Sequence, residues 1–146
     1  MEFDENNIRE GEEEGYVEIY SKKAVFGFSV FPAPFVGGIL LLLNLKEAGY
    51  KKAILPVLIF TIFYYLLTNL VLNEVLITYK VDLKTININT AYLFGAFFAM
   101  NIIGGIILTQ YFFKKYFPDN DYYPKSIARP LLIIIFIIFV LGLMSR

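Results

Sequence analysis

The sequence predicts an all-α polytopic membrane protein with four transmembrane helices, and three observations carry that prediction. Of 146 residues, 58% are hydrophobic and only 18% charged, with a mean hydropathy of +0.61, which is too apolar for an ordinary soluble domain of this length. Four long apolar runs approach the roughly 20 residues that a helix needs to cross a bilayer, where backbone polar groups find no partner but each other. The runs are apolar on every side, whereas barrel strands would alternate apolar and polar over about 10 residues.

The spans are expected at about 24–45, 53–73, 90–113 and 128–144, within a membrane domain covering 23–146. The first three hold no Asp, Glu, Lys, Arg or His, and the fourth holds none past Arg129. Residues 1–22 read as an acidic, flexible tail. Through Lys23 the chain carries eight acids against three bases, a net charge of minus five, and too little apolar surface to order itself. This start is the reverse of a basic secretory signal, so the tail is expected to remain in the mature protein. From Val75 to Leu83 the alternation in "VLITYKVDLKTI" fits a short strand or an extension of the second helix, and the lack of an obvious partner strand favours the extension.

An even number of spans puts both termini on one side of the membrane. Seven basic residues then fall in the loops after the first and third spans (Lys46, Lys51, Lys52, Lys114, Lys115, Lys125, Arg129), against five near the other ends (Lys22, Lys23, Lys80, Lys84, Arg146). That bias favours termini outside the cytoplasm. Tyrosines gather where the spans end, as interfacial anchors do.

The first span is interrupted by "FPAPFVGG". Pro32 and Pro34 each remove a helix donor, so they should bend the helix and release carbonyls near Phe28 and Val30, with Ser29, Asn101 or water as partners. Gly37 and Gly38 then offer a flat packing surface, and Gly95, Ala99, Gly104 and Gly105 offer another on the third span. The order Phe-Gly, Gly-Gly, charged loop and helix-start proline recurs in the second half, suggesting two tandem helical hairpins. Asn44, Thr61, Thr68, Asn69 and Asn101 are the polar residues expected inside the bundle, bonded to one another and to broken backbone, or else lining a cavity for a neutral solute. The fourth span has no polar face and reads as a lipid-facing wall.

Catalysis finds little support. Histidine and cysteine are absent, no span carries paired carboxylates, and no phosphate-binding glycine loop occurs. Asp119, Asn120 and Asp121 start like a calcium loop, but the required glycine and terminal glutamate are missing. Apart from Arg129 at the very start of the fourth span, no Asp, Glu, Lys, Arg or His lies within a span to couple transport to an ion. The chain is therefore expected to be no enzyme, to use no cofactor or metal and to bind no nucleic acid.

The segment "YSKKAVFGFSVFPAPFVGGILLLLNLKEAGYKKA", Tyr20 to Ala53, resembles small bacterial membrane proteins of unknown function. These carry a Phe-Gly, Pro, Gly-Gly first helix ending in Asn-Leu and a Lys and Gly loop. The resemblance implies a multi-pass protein of the bacterial inner (plasma) membrane and supplies no activity. The expected role is a non-enzymatic accessory or interaction component, partnered by the lipid bilayer and by a second copy or another membrane protein. The competing expectation is a small channel or solute-binding transporter acting as an oligomer.

Overall fold

The computed structural model describes residues 17–82, 85, 87–119 and 122–144. In chain order they form β1 (Val17–Ile19), α1 (Lys22–Val30), α2 (Pro34–Glu47), α3 (Lys51–Thr78), α4 (Ile88–Ile106), a π-helical continuation (Ile107–Phe113), α5 (Lys114–Tyr116), β2 (Tyr122–Pro124) and α6 (Ala128–Met144). The fold is a helical bundle. Two helices are long and apolar enough to cross a membrane, Lys51–Thr78 and Ile88–Tyr116, and α6 is a shorter apolar helix.

The break in the first apolar run is sharper than a bend. A residue before proline is pushed out of the helical region by the proline ring, and Pro32 and Pro34 impose this twice within four residues. Phe31 ends α1 at φ −109°, ψ 82°, and Ala33 is fully extended at φ −175°, ψ 155°. Pro34, its φ already fixed, restarts the chain as the first residue of α2. The two helices then pack antiparallel. Gly37 of α2 lies on Ser29 and Val25 of α1, and farther from the turn the Asn44 side chain binds the Tyr20 backbone at 2.8 and 2.7 Å. Residues 24–45 are therefore a hairpin whose two ends meet, and the single spanning helix expected there is not formed. At 1.5 Å per residue, α1 and α2 are about 14 and 21 Å long.

The base of the hairpin is fixed by a contact absent from the sequence reading. β1 pairs in parallel with β2, Val17 opposite Tyr122 and Ile19 opposite Pro124, and Lys125 N–H donates to the Ile19 carbonyl at 2.8 Å. The expected tail of residues 1–22 therefore includes residues that the fold holds. Val17–Ser21 are held by the bundle, and Ile19 is fully buried. Residues 1–16, the rest of the expected tail, lie outside the described residues. The same strand pair places the chain's entry into α1 beside the α5–α6 connection, at what we call the strand end. Tyr50 meets Tyr116 at 6.1 Å there, and Lys125 pairs with Glu47 at 2.5 Å.

From the strand end α3 runs to the far end, where Tyr79 and Tyr92 stack at 4.9 Å, and α4 returns. The helical reading of Val75 onward holds through Thr78. α2 and α3 join through a Schellman turn, with Gly49 at φ +75°, Gly49 N–H on Lys46 O and Tyr50 N–H on Leu45 O. The hydrophobic core (Ile19, Val25, Phe28, Leu41, Leu45, Val57, Leu108, Phe113) fills the strand-end half. Among the buried residues of α3 the last is Thr68; on α4, between the Thr90 cap and Asn101, none is buried. The hairpin wedges α3 and α4 apart in one half only. No residue of α6 is buried, although Ile134 packs against the core.

The two halves are not equivalent units. Where the first half folds back at Pro32, the second half's Gly104-Gly105 lies inside one continuous helix. The tandem-hairpin expectation therefore fails.

Candidate functional site

Adjacent glycines point about 100° apart on a helix, so a Gly-Gly pair can admit two neighbours at once. A Cβ at Gly37 would strike Ser29 and the Val25 carbonyl of α1, and one at Gly38 would strike Thr61 of α3. A Cβ on Gly104 would lie 2.6 Å from Tyr64 and 2.7 Å from Pro34, and one on Gly105 would lie 3.1 Å from Phe26 and Ser29. These four glycines seat the hairpin between α3 and α4. Gly95 and Ala99, expected on the same face, are exposed, and Gly95 has open space where a Cβ would stand. Before Asn101 the hairpin touches α4 only at its tip, where Phe31 meets Phe98 at 6.3 Å, so Gly95 and Ala99 are left uncovered. After Ile106 the π turns shift the buried face to Leu108, Thr109, Phe112 and Phe113.

The polar residues divide into three roles. Asn44 is fully buried and completes the Tyr20 backbone as a neighbouring strand would, so it belongs to the base of the hairpin. Thr61 and Thr109 donate to the carbonyls four residues back, Val57 and Gly105, both at 2.7 Å. Exposed Asn69 donates to Tyr65 O at 2.8 Å. Asn101 alone crosses to the break, its Nδ2 donating to the Val30 carbonyl at 3.1 Å.

At the tip, Asn101 Oδ1 and Thr68 Oγ1 are buried without a hydrogen-bond partner. Both residues line one cavity of about 90 Å3, together with Ala33, Pro34 and Phe35 at the start of α2, Tyr64, Tyr65, Asn69 and Leu72 of α3, and Phe97 of α4. α2 begins there with no side-chain cap, so the positive end of its dipole borders the space. Phe35 carries the first N–H of α2, because Pro34 has none. Tyr64 closes the strand-end side by donating to Met100 O at 2.7 Å.

An open cleft of about 440 Å3 leads from this cavity toward the far end, between Asn69, Leu72, Asn73 and Leu76 of α3 and Leu93, Phe94 and Phe97 of α4. Asn69, Leu72 and Phe97 line both spaces. In the other direction the way is blocked by the core, so a continuous polar path from Asn44 past Asn69 to Asn101 is not formed. Tyr64 is not among the residues the sequence places inside, although it falls three residues after Thr61 and four before Thr68, on the face those two define; Phe97, which the helical projection turns away from Gly95 and Ala99, lines the cavity. Among the described residues no cluster of three or more Asp, Glu, His or Cys is placed to hold a metal, and Asn120 and Asp121 lie outside them. Compared with protein-family models, curated proteins and solved structures, the chain matches none.

Proposed function

We propose that the chain is a multi-pass protein of a bacterial inner membrane that crosses three times, through α3, through the continuous helix Ile88–Tyr116 and through α6, while α1 and α2 re-enter from the strand end. Non-helical backbone at membrane depth is tolerated when it is buried in protein or lines a cavity; at the 31–33 turn Ala33 lines the tip cavity and Asn101 takes the freed Val30 carbonyl, while the Phe31 side chain is 71% exposed. The observation that carries this reading is the β1–β2 pair, which puts the start of α1 at the same end as the α5–α6 loop. The basic residues then redistribute. Lys22, Lys23, Lys46, Lys51, Lys52, Lys114, Lys115, Lys125 and Arg129 gather at the strand end, nine against Lys80 alone at the other among the described residues. That asymmetry argues for a cytoplasmic strand end and N-terminus, and for a C-terminus outside.

Single-thiol labelling tests the arrangement cleanly because the chain has no cysteine. An impermeant reagent added to intact cells should label Thr85→Cys, and should label Ser126→Cys only after permeabilisation. A tag at the N-terminus should behave as Ser126→Cys does. An N-terminal tag on the Thr85 side would restore a true crossing at 24–45 and overturn the hairpin topology.

Within this frame the protein is read as a non-enzymatic interaction component. Its exposed Gly95 and Ala99 are the kind of small-residue surface through which membrane helices associate, with a second copy or another membrane protein. Gly95→Leu should lower the assembled mass in mild detergent if that face is used. Solute binding is a second reading, favoured by the two unpaired polar atoms at the hairpin tip.

A further inference from the structure

We infer that the cleft between α3 and α4 is a water-filled vestibule, blind at the hairpin tip, and that the tip cavity binds a small neutral solute carrying both a hydrogen-bond donor and an acceptor, of the primary amide or urea type. The inference rests on the solute-binding reading and names its site, ligand class and direction of access.

The ligand class follows from the groups that face the space. Asn101 Oδ1 can only accept, and nothing donates to it. Thr68 Oγ1 can do both and does neither. Phe35, which lines the cavity, also carries the first N–H of α2, a donor that the helix itself leaves without a partner. An anion would satisfy the N–H but offer Asn101 no proton, and a cation would do the converse. A neutral molecule with an N–H or O–H at one end and a carbonyl or hydroxyl oxygen at the other satisfies all three. No Asp, Glu, Lys or Arg lines the cavity or the cleft. At roughly 30 Å3 of liquid volume per water, 90 Å3 is the room of about three waters, the scale of formamide, with urea and acetamide one heavy atom larger.

Access is one-sided. The apolar core closes the strand end, whereas the cleft continues from Asn69 past Asn73 and Leu76 toward the far end. Half-helix ends that present backbone groups to a buried site are a recurrent device of transport proteins. Here the α1–α2 break supplies one such end.

The experiment uses the full chain in liposomes, with acetamide as probe. Leu72→Cys places a thiol where cleft and cavity meet and leaves every proposed ligand group in place. A small charged methanethiosulfonate should modify it readily, and should leave Phe136→Cys on the exposed surface of α6 unmodified. Acetamide at ten times its Kd should slow Leu72→Cys modification about tenfold by competition, and acetone, of the same size but without a donor, should not slow it. Adding Thr68→Val, which removes only the hydroxyl, should keep the thiol reactive and abolish the protection. An unreactive Leu72→Cys would mean a dry cleft and overturn the inference. Reactivity without protection by acetamide or urea would reduce the site to bound water and overturn the ligand claim, as would protection that survives Thr68→Val. A Phe136→Cys that reacts as fast as Leu72→Cys would instead overturn the membrane reading beneath both.

Discussion

The side chain of Asn44 accepts from the N–H of Tyr20 at 2.8 Å and donates to its carbonyl at 2.7 Å, with Asn44 itself fully buried. Twenty-four residues apart in sequence, the two close the base of a helical hairpin. Asparagine is suited to this because its amide repeats the donor and acceptor of a peptide group. Removing it strands both backbone groups in the core, where an unsatisfied group costs about 1–3 kcal/mol. Asn44→Ala should therefore destabilise the fold by roughly 2–5 kcal/mol. Asn44→Asp keeps one bond and sets a carboxylate against a carbonyl, so it should not rescue. Thermal unfolding in detergent measures both.

The glycines that seat the hairpin should separate from those that do not. Gly37→Ala drives a Cβ toward a backbone carbonyl, Val25 O at 2.7 Å, which cannot move aside cheaply. Gly38→Ala meets only the Thr61 side chain. Overpacking of this kind costs about 1–3 kcal/mol, with Gly37 expected at the upper end. Thr61→Ser should recover part of the Gly38→Ala loss and none of the Gly37→Ala loss, as a double-mutant cycle would record.

At Gly27 and Gly95 a Cβ would meet open space in the middle of a helix. Alanine there should stabilise by about 0.5–1 kcal/mol, the difference in helix propensity. A loss at Gly95→Ala in the assembled protein, with a gain in the monomer, would place a partner on that face.

These contrasts mark how far the sequence could be read. The break was legible because X-Pro chemistry is local, and so was the part Asn101 plays in receiving Val30 O, since a freed carbonyl needs a donor nearby. The reversal was not legible. Hydropathy averages over a window and is blind to direction, so the 22-residue run 24–45 reads the same whether the chain crosses or turns back. The missing information lay in two distant pairings, β1 with β2 and Asn44 with Tyr20, and neither has a local signature. Without the reversal the polar residues were also misgrouped. Asn44 joined the interior stripe although it serves the base, and Gly95 and Ala99 were placed on a face the hairpin never reaches.

Helix α3 ends with Lys80 at φ +48°, where Lys80 N–H binds Ile77 O and Val81 N–H binds Leu76 O. This is the same Schellman geometry that Gly49 makes after α2, with a side chain in place of glycine. A left-handed conformation costs an L-residue about 1–2 kcal/mol, partly offset by the entropy that glycine adds to the unfolded chain. Lys80→Gly should raise stability by a few tenths to about 1 kcal/mol, and Lys80→Val should lower it. Unfolding midpoints of the two variants give the sign directly.

At the strand end Lys125 holds Glu47 at 2.5 Å, with side-chain exposures of 27% and 38%. The Glu47 hydrogen bond and charge hold the Lys125 ammonium above its ordinary pKa, against a smaller opposing effect of burial. A group whose folded pKa is raised contributes stability that is complete below its unfolded value, near 10.5, and is lost as pH rises through the folded value. Wild type should therefore exceed Glu47→Gln in melting temperature below the ordinary lysine pKa, and the two should converge once the pH passes the raised folded value. High salt should narrow the gap at neutral pH, because exposed pairs are screened. A gap that persists at alkaline pH would assign the role of Glu47 to packing at the base of the hairpin.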